Sequence, residues 1–486
     1  MKLARYRDEW FGNVRRDVLA GLVGTFALIP EVIAFSFVAG VDPAVGLYAS
    51  FVIGVVIAFV GGRPAMVSGA AGSVALVAAA LVRGHGVQYL LAATLLTGLL
   101  QLLFGLLRLD VLMRFVSRSV RTGFVNALAI LIFSAQVPQM LGVSWPTYAL
   151  IGLGLLIIYL VPRLTEAVPS PLICILVLTA LSVGLGLDVR TVADLGHLPD
   201  SMPVPVLPEV PLSWETLAVI GPYAVAMATV GLLESMMTAG VVDDLTDTNS
   251  SKRAECTGLG IANVAAGLFG GIAGCGMIGQ TVGNVRYGGR GRLSTFCAGL
   301  FLLVLMVLLR PWVAQVPVAA LVAIMVMVSA STFAWGSLRD LLVHPRVSSA
   351  VMLATVAVVV ATSNLALGVL VGVLLSGVFF AFKVMRMMRV ESGYDPATDT
   401  RTYTVSGQVF FASADMFADS FDLRDPARQV RIDLRAAHLW DITAVGALEG
   451  VVTKLRRNGR AVEVVGLNEA SAGMVERHGG FSPVEP

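Results

Sequence analysis

Apolar runs of 12 to 26 residues recur from Asp17 to Met388, nearly all of them long enough to cross a hydrocarbon layer of roughly 30 Å. Such a chain folds as membrane-spanning helices. The composition agrees: 56% of the residues are hydrophobic and 14% charged, against roughly a quarter charged in ordinary soluble domains, and the mean hydropathy is +0.82. Between polar or Gly/Pro breaks the runs fall at 18–37, 44–60, 89–107, 119–137, 145–160, 171–187, 217–242, 258–269, 293–309, 316–332, 348–363 and 365–388. Two further segments, 71–81 and 279–285, are apolar or small but too short or too glycine-rich to cross as full helices, and they bring the expected total to fourteen. The fold class predicted is a polytopic α-helical membrane protein with lipid as its solvent.

An even number of spans puts both ends on one side, and Lys and Arg decide which. The N-terminal segment, alternate loops and the segment after the last span carry 21 of these residues, among them Arg15, Arg16, Arg63, Lys252, Arg290 and Arg292; the opposite loops carry only Arg83, Arg190 and Arg310. That bias predicts cytoplasmic termini in a cytoplasmic (inner) membrane, with the Pro-rich loop 188–213 outside. Residues 391–486 hold 10 of the 34 Lys and Arg and 14 of the 32 Asp and Glu, so a water-facing domain follows the membrane part. There 402–411 alternates like a strand, 430–434 and 462–465 read as buried strands, and 443–457 has helical spacing, which predicts a small α/β domain. The expected boundaries are a cytoplasmic segment 1–16, a membrane domain 17–390 and a cytoplasmic domain 391–486. The first span follows a basic amphipathic stretch with no small-residue cleavage site and is read as retained.

Several functions are excluded at this level. Cys174, Cys256, Cys275 and Cys297 have no ligand spacing and read as small core residues, so no metal site and no cofactor are expected. Neither a Walker loop nor a Ser/His/Asp constellation occurs, and a net charge of +2 makes no case for nucleic acid. A carrier, not an enzyme, is expected.

Candidate chemistry lies in the two short segments. In VSGAAGSVALVAAAL, from Val67, and GCGMIGQTVGNV, from Gly274, clustered glycines let irregular backbone lead into a helix that starts inside the membrane. Such a start presents unpaired N–H groups and a positive dipole end, an anion site; close packing through small residues is the structural alternative. Gly72 and Gly279 stand at these starts, where Ser68, Ser73, Gln280 and Thr281 add neutral donors. Glu31 and Glu234 are the carboxylates expected well inside spans, where an ionised acid costs about 2.5 to 3.5 kcal/mol even on the lenient insertion scale. Each is a candidate proton carrier; a protonated acid bonded to a neighbouring helix is the bland reading. Thr238, one turn after Glu234, makes a cation site the other possibility. Pro30 beside Glu31 marks a bend. An acid followed 30 or 36 residues later by a Gly-Gly pair, Glu31 to Gly61-Gly62 and Glu234 to Gly270-Gly271, is an internal echo of two inverted seven-span repeats, about 17–187 and 214–390, which place a substrate site near the midplane.

The stretch DVLAGLVGTFALIPEVIAFSFVAGVDPAVGLYASF, with SRSVRTGFVNALAILIF, LLESMMTAGVVDDLTDT, GLGIANVAAGLFGGI and NVRYGGRGRL, resembles the sulfate permease family of anion transporters. The tail RIDLRAAHLWDITAVGALEGVVTKLRRNGRAVEVVG is similar to that family's sulfate-transporter and anti-sigma-antagonist (STAS) domain. The resemblance implies fourteen segments in two inverted repeats, a core domain moving against a gate domain like an elevator, an anion held between the starts of segments three and ten, and a homodimer. Two departures bear on mechanism: Glu31 replaces the family's usual glutamine, and Gly279-Gln280 stands where many relatives have Ser-Arg. In related STAS domains a phosphorylatable hydroxyl follows an Asp before a helix, the place of Thr443, which also reads as an ordinary helix N-cap; a cytoplasmic partner would act through this domain.

The resulting expectation is proton-coupled uptake of a small mono- or dicarboxylate or an inorganic oxyanion. Glu31, Gly72, Ser73, Gly279, Gln280 and Thr281 would hold the anion, and Glu234 with Thr238, or Glu31, the coupling ion. The rivals are sodium-coupled transport of bicarbonate or sulfate, an anion channel or exchanger, and a membrane anchor for STAS partners.

Overall fold

The computed structural model describes residues 2–164, 168–343 and 345–478. Met1 and residues 479–486, which the expected domain boundaries include, lie outside the described residues. The chain separates into two compact units, 1–373 and 374–486, the division falling within its last membrane helix.

In the first unit an amphipathic helix, α1 (Lys2–Phe11), precedes seven segments: α2 (Val14–Ala39), α3 (Pro43–Val60), α4 (Gly72–His85), α5 (Val87–Leu106), α6 (Arg118–Met140), α7 (Trp145–Leu164) and α8 (Ser170–Gly184). Next come α9 (Trp214–Thr246), α10 (Lys252–Leu268), α11 (Ile278–Arg286), α12 (Arg292–Ala314) and α13 (Val318–Thr332); a short α14 (Gly336–Val343) precedes α15 (Arg346–Thr362) and α16 (Leu365–Met385). Leaving out α1 and α14, these are fourteen membrane segments among the described residues. Local chemistry sets their ends: Ser117, Ser213 and Ser251 accept N–H groups at the starts of α6, α9 and α10, and Gly40, at φ +75°, closes α2. Pro30 is accommodated inside α2, which stays one helix of 26 residues.

The helices form two bundles. In the core bundle α2–α5 pack with α9–α12; in the gate bundle α6 packs on α13 and α15, and α7 on α8 and α13. Small residues let the core helices close up: a Cβ on Gly54 of α3 would lie 3.0 Å from the Gly299 Cα of α12. Loop 188–213 lies over the ends of α3 and α13, with the amide of Ala44 donating to His197 O (3.0 Å) and that of Val192 to Val316 O (2.9 Å).

One expectation about burial is corrected. α10 begins at Lys252, not near 258, and α2 at Val14, so two further carboxylates, Glu255 and Asp17, lie buried at helix starts. Each is spent on backbone: Glu255 Oε2 accepts from Gly62 N (2.8 Å) and Arg63 N (3.1 Å), and Asp17 Oδ1 from Arg290 N (2.8 Å) and Gly291 N (3.1 Å). Reading hydropathy alone hid them, because polar first turns look like loop.

The second unit is a four-stranded sheet in the order β3 (Arg389–Asp395), β4 (Thr400–Val409), β5 (Gln429–Leu439), β6 (Ala461–Val465), numbered after the two short strands β1 (Ser68–Gly69) and β2 (Cys275–Gly276) of the membrane unit. β3 pairs antiparallel with β4, and the other neighbours are parallel. With α17 (Ala414–Asp419), α18 (Ile442–Arg457) and α19 (Glu469–His478) the sheet encloses a core of Val405, Phe417, Ile432, Leu448 and Val452. The periodicity reading missed β3, whose residues are mostly exposed and polar. It also misplaced the cap of α18: Asp441 is the N-cap, accepting from Ala444 N (2.9 Å) and Phe411 N (2.7 Å), while Thr443 sits exposed in the first turn.

Candidate functional site

The glycine-rich segments break their helices at matching depth. β1 and β2 pair antiparallel, Ser68 with Gly276 and Gly69 with Cys275, so the chain enters α4 and α11 from one crossing point. Only glycine fits at 274, since a Cβ there would lie 2.1 Å from Gly69 O. Irregular backbone inside a membrane has to be paired, and side chains do it. Ser50 Oγ accepts from Ala70 N (2.9 Å), Ser235 Oγ from Gly276 N (2.8 Å) and Asn263 Oδ1 from Gly274 N (2.8 Å), while Asn263 Nδ2 donates to Gln101 Oε1 (2.7 Å). Thr281 belongs to this frame: its hydroxyl accepts from Val67 N (3.0 Å), so it is turned into the crossing and does not line the cavity beyond. Ser68 likewise stays buried in β1, its hydroxyl unpaired.

That cavity, about 310 Å³, lies between the two bundles. From the core come Glu31 and Phe35 of α2, Gly72 and Ser73 of α4, and Gly279 and Gln280 of α11; from the gate come Leu128 and Ile132 of α6 and Val328, Ser331 and Thr332 of α13. It extends past Gly24, Gly283 and Tyr287 toward the end of the bundle where α2 begins. Among the described residues that line it there is no Lys or Arg.

The two acids are exchanged between repeats. Glu31 of α2 accepts from the side-chain amide of Gln280 on α11, and Glu234 of α9 accepts from the Ser73 hydroxyl on α4. Ser73 and Gln280 each lie five residues beyond the first residue of their strand. The Cys275 thiol also donates to Glu234 (3.2 Å). Thr238 Oγ1 donates to Glu234 O and Gly276 O, both at 2.9 Å, so its hydroxyl serves the backbone. The residues that reading the sequence missed are the gate hydroxyls Ser331 and Thr332 and the Gln101–Asn263 pair; only the latter carried a signal, two amides inside apolar helices.

Residues 14–150 and 143–355 match the model of the Sulfate permease family, and residues 395–484 that of the STAS domain. The chain belongs to the sulfate permease family. That family consists of transporters, not enzymes. The putative sulfate transporter YbaR of Bacillus subtilis is 51% identical over 471 residues, covering 97% of this chain and 98% of its own. Among solved structures, the transmembrane domain of a cyanobacterial bicarbonate transporter, BicA, superposes with a TM-score of 0.66 at 25% identity, covering 76% of this chain and 98% of its own. The murine Solute Carrier 26 family member A9 anion transporter shares the fold, with a TM-score of 0.83 at 18% identity over 96% and 88% of the two chains. Within the sulfate permease fold, then, this chain lines its inter-bundle cavity with Glu31 and two interrupted helix starts, and bonds Glu234 to Ser73 of that lining.

Proposed function

We propose that this protein is a secondary active anion transporter that takes up a small carboxylate, dicarboxylate or inorganic oxyanion together with protons, the core bundle moving against the gate bundle. The observation that carries this reading is the cavity at the starts of α4 and α11, with Glu31 and Gln280 in its wall and Glu234 bonded to Ser73 behind it. Main-chain N–H groups at the two starts supply positive potential without a fixed cation. An anion about 4 Å from an ionised carboxylate would be repelled by about 4 kcal/mol at an effective dielectric of about 20. Binding the anion therefore favours protonation of Glu31 and Glu234, and by linkage protonation favours the anion. A protonated Glu31 becomes a donor to the substrate, which an arginine-based site would not need. The helices offer only neutral donors besides, so weakly hydrated monoanions and carboxylates suit the site better than a bare divalent ion.

A second reading is sodium coupling. Thr238 draws Glu234 O and Gly276 O to one hydroxyl, three oxygens that with the Glu234 carboxylate suit a hard cation, and a relative 25% identical is named a bicarbonate transporter. We further assign the membrane domain to 17–390, with repeats about 17–187 and 214–390, the STAS domain to 391–486, and both termini to the cytoplasmic side of the inner membrane. A homodimer and a cytoplasmic partner bound through the STAS domain, with Thr443 as its modifiable hydroxyl, complete the proposal. Uptake of succinate, bicarbonate and sulfate into proteoliposomes, driven by a proton gradient with no sodium, tests it. Uptake without sodium supports the proton reading; accumulation that strictly requires sodium overturns it.

A further inference from the structure

At the end of the core bundle where α2 begins, a second cavity of about 450 Å³ opens among residues that do not line the inter-bundle cavity. It is lined by the turn 61–64, by Thr246 at the end of α9 and Thr248 and Asn249 after it, by the start of α10 and by Arg290 and Arg292. Arg63 is folded into this wall, its side chain 7% exposed. Its terminal nitrogens donate to Thr248 Oγ1 (2.8 Å) and Thr246 Oγ1 (2.6 Å) and reach Asp243 (3.3 Å), but its Nε is buried with no acceptor. Arg290 donates to two carbonyls, Val285 O (2.6 Å) and Gly289 O (2.8 Å), and Arg292 to Glu9 (2.7 Å) and Gly61 O (2.9 Å).

Three guanidinium groups thus surround one cavity, and among its lining residues Glu9 is the one carboxylate. Burial lowers the Arg63 pKa against the pull of Asp243 and Glu9, with the Arg290 charge adding to the lowering and Glu255 opposing it. α10, 17 residues long, begins at the cavity with Ser251 and Ala254, adding the positive end of its dipole. Forked donors, hydroxyls and a helix start converging on a space of this size match a tetrahedral oxyanion.

We propose that this cavity binds a phosphate group, free or in a phospholipid headgroup, at a site separate from the transport cavity. The bound group would tie together the ends of α3, α9, α10 and α12 and so stabilise the core bundle in its present packing.

The test is the thermal unfolding midpoint of the full-length protein in neutral detergent, titrated with inorganic phosphate at ionic strength matched with chloride. The wild type should gain several degrees, saturably. Arg63→Lys keeps the charge but loses the fork, and should raise the half-saturating phosphate concentration about tenfold; Thr248→Val, a change at an exposed position, should raise it severalfold. Gln280→Ala, in the transport cavity, should leave the response unchanged. Nanodiscs of phosphatidylcholine with and without phosphatidic acid separate the two sources: stabilisation by phosphatidic acid that Arg63→Lys removes assigns the site to lipid, and stabilisation by free phosphate alone assigns it to a soluble anion. The proposal fails if neither source stabilises the wild type, if Arg63→Lys and Thr248→Val respond as the wild type does, or if Gln280→Ala alone abolishes the response, which would put the phosphate in the transport cavity.

Discussion

A carboxylate inside a membrane bundle is tolerable when something donates to it, and Glu31 and Glu234 each accept from a side chain of the opposite repeat. Removing one donor should therefore affect binding more than folding. Gln280→Ala is expected to raise the half-saturating anion concentration about tenfold, roughly 1.4 kcal/mol, in a concentration series of uptake at fixed pH. Glu234→Gln cannot release a proton, so proton-driven accumulation should fall by about 100-fold while exchange of anion for anion persists; accumulation at the wild-type rate would remove Glu234 from the coupling path. In the STAS domain, Asp441 holds both the α18 start and the Phe411 amide. Asp441→Ala should weaken α18 by about 1 kcal/mol and speed hydrogen exchange of its first-turn amides, whereas Thr443→Ala should stay within about 0.5 kcal/mol of the wild type.

At the scale of elements, two strands of two residues each do what no helix could, bringing α4 and α11 to one crossing point. Their stability is borrowed from polar side chains on α3, α5, α9 and α10. Asn263 is the clearest case, since its amide pairs with Gly274 N, Gly274 O and Gln101. Asn263→Ala would leave buried groups unpaired at about 1 to 3 kcal/mol. Its expected outcome is a lower unfolding midpoint together with a greater loss of uptake than a peripheral substitution of equal destabilisation produces. The glycine clusters and the Gly72 and Gly279 starts were legible in the sequence because irregular backbone in lipid leaves a compositional trace. The role of Thr281 was not: a hydroxyl at a helix start faces a ligand or a neighbouring strand depending on packing, and here Val67 takes it.

For the whole molecule, the elevator reading concerns the surface between core and gate. Ser331 and Thr332 stand on the gate side of the cavity, toward the end where α2 begins, and the four native cysteines are buried. Ser331→Cys should accordingly react with a membrane-impermeant maleimide from the side of the chain termini, and a transported anion should slow that reaction; equal labelling from both sides would contradict access from that side alone. Hydropathy, the Lys and Arg bias and the glycine clusters suffice to read a membrane bundle of fourteen segments with two interrupted helices, because a bilayer penalises every wrong choice along the chain itself. Which acid meets which donor, that Glu255 and Asp17 serve backbone amides, and that gate hydroxyls face the site were decided by tertiary packing alone. Those pairings join residues 161 to 274 positions apart, such as Ser73 with Glu234 and Asp17 with Gly291, and no local periodicity encodes a contact that exists only once two repeats have folded against each other.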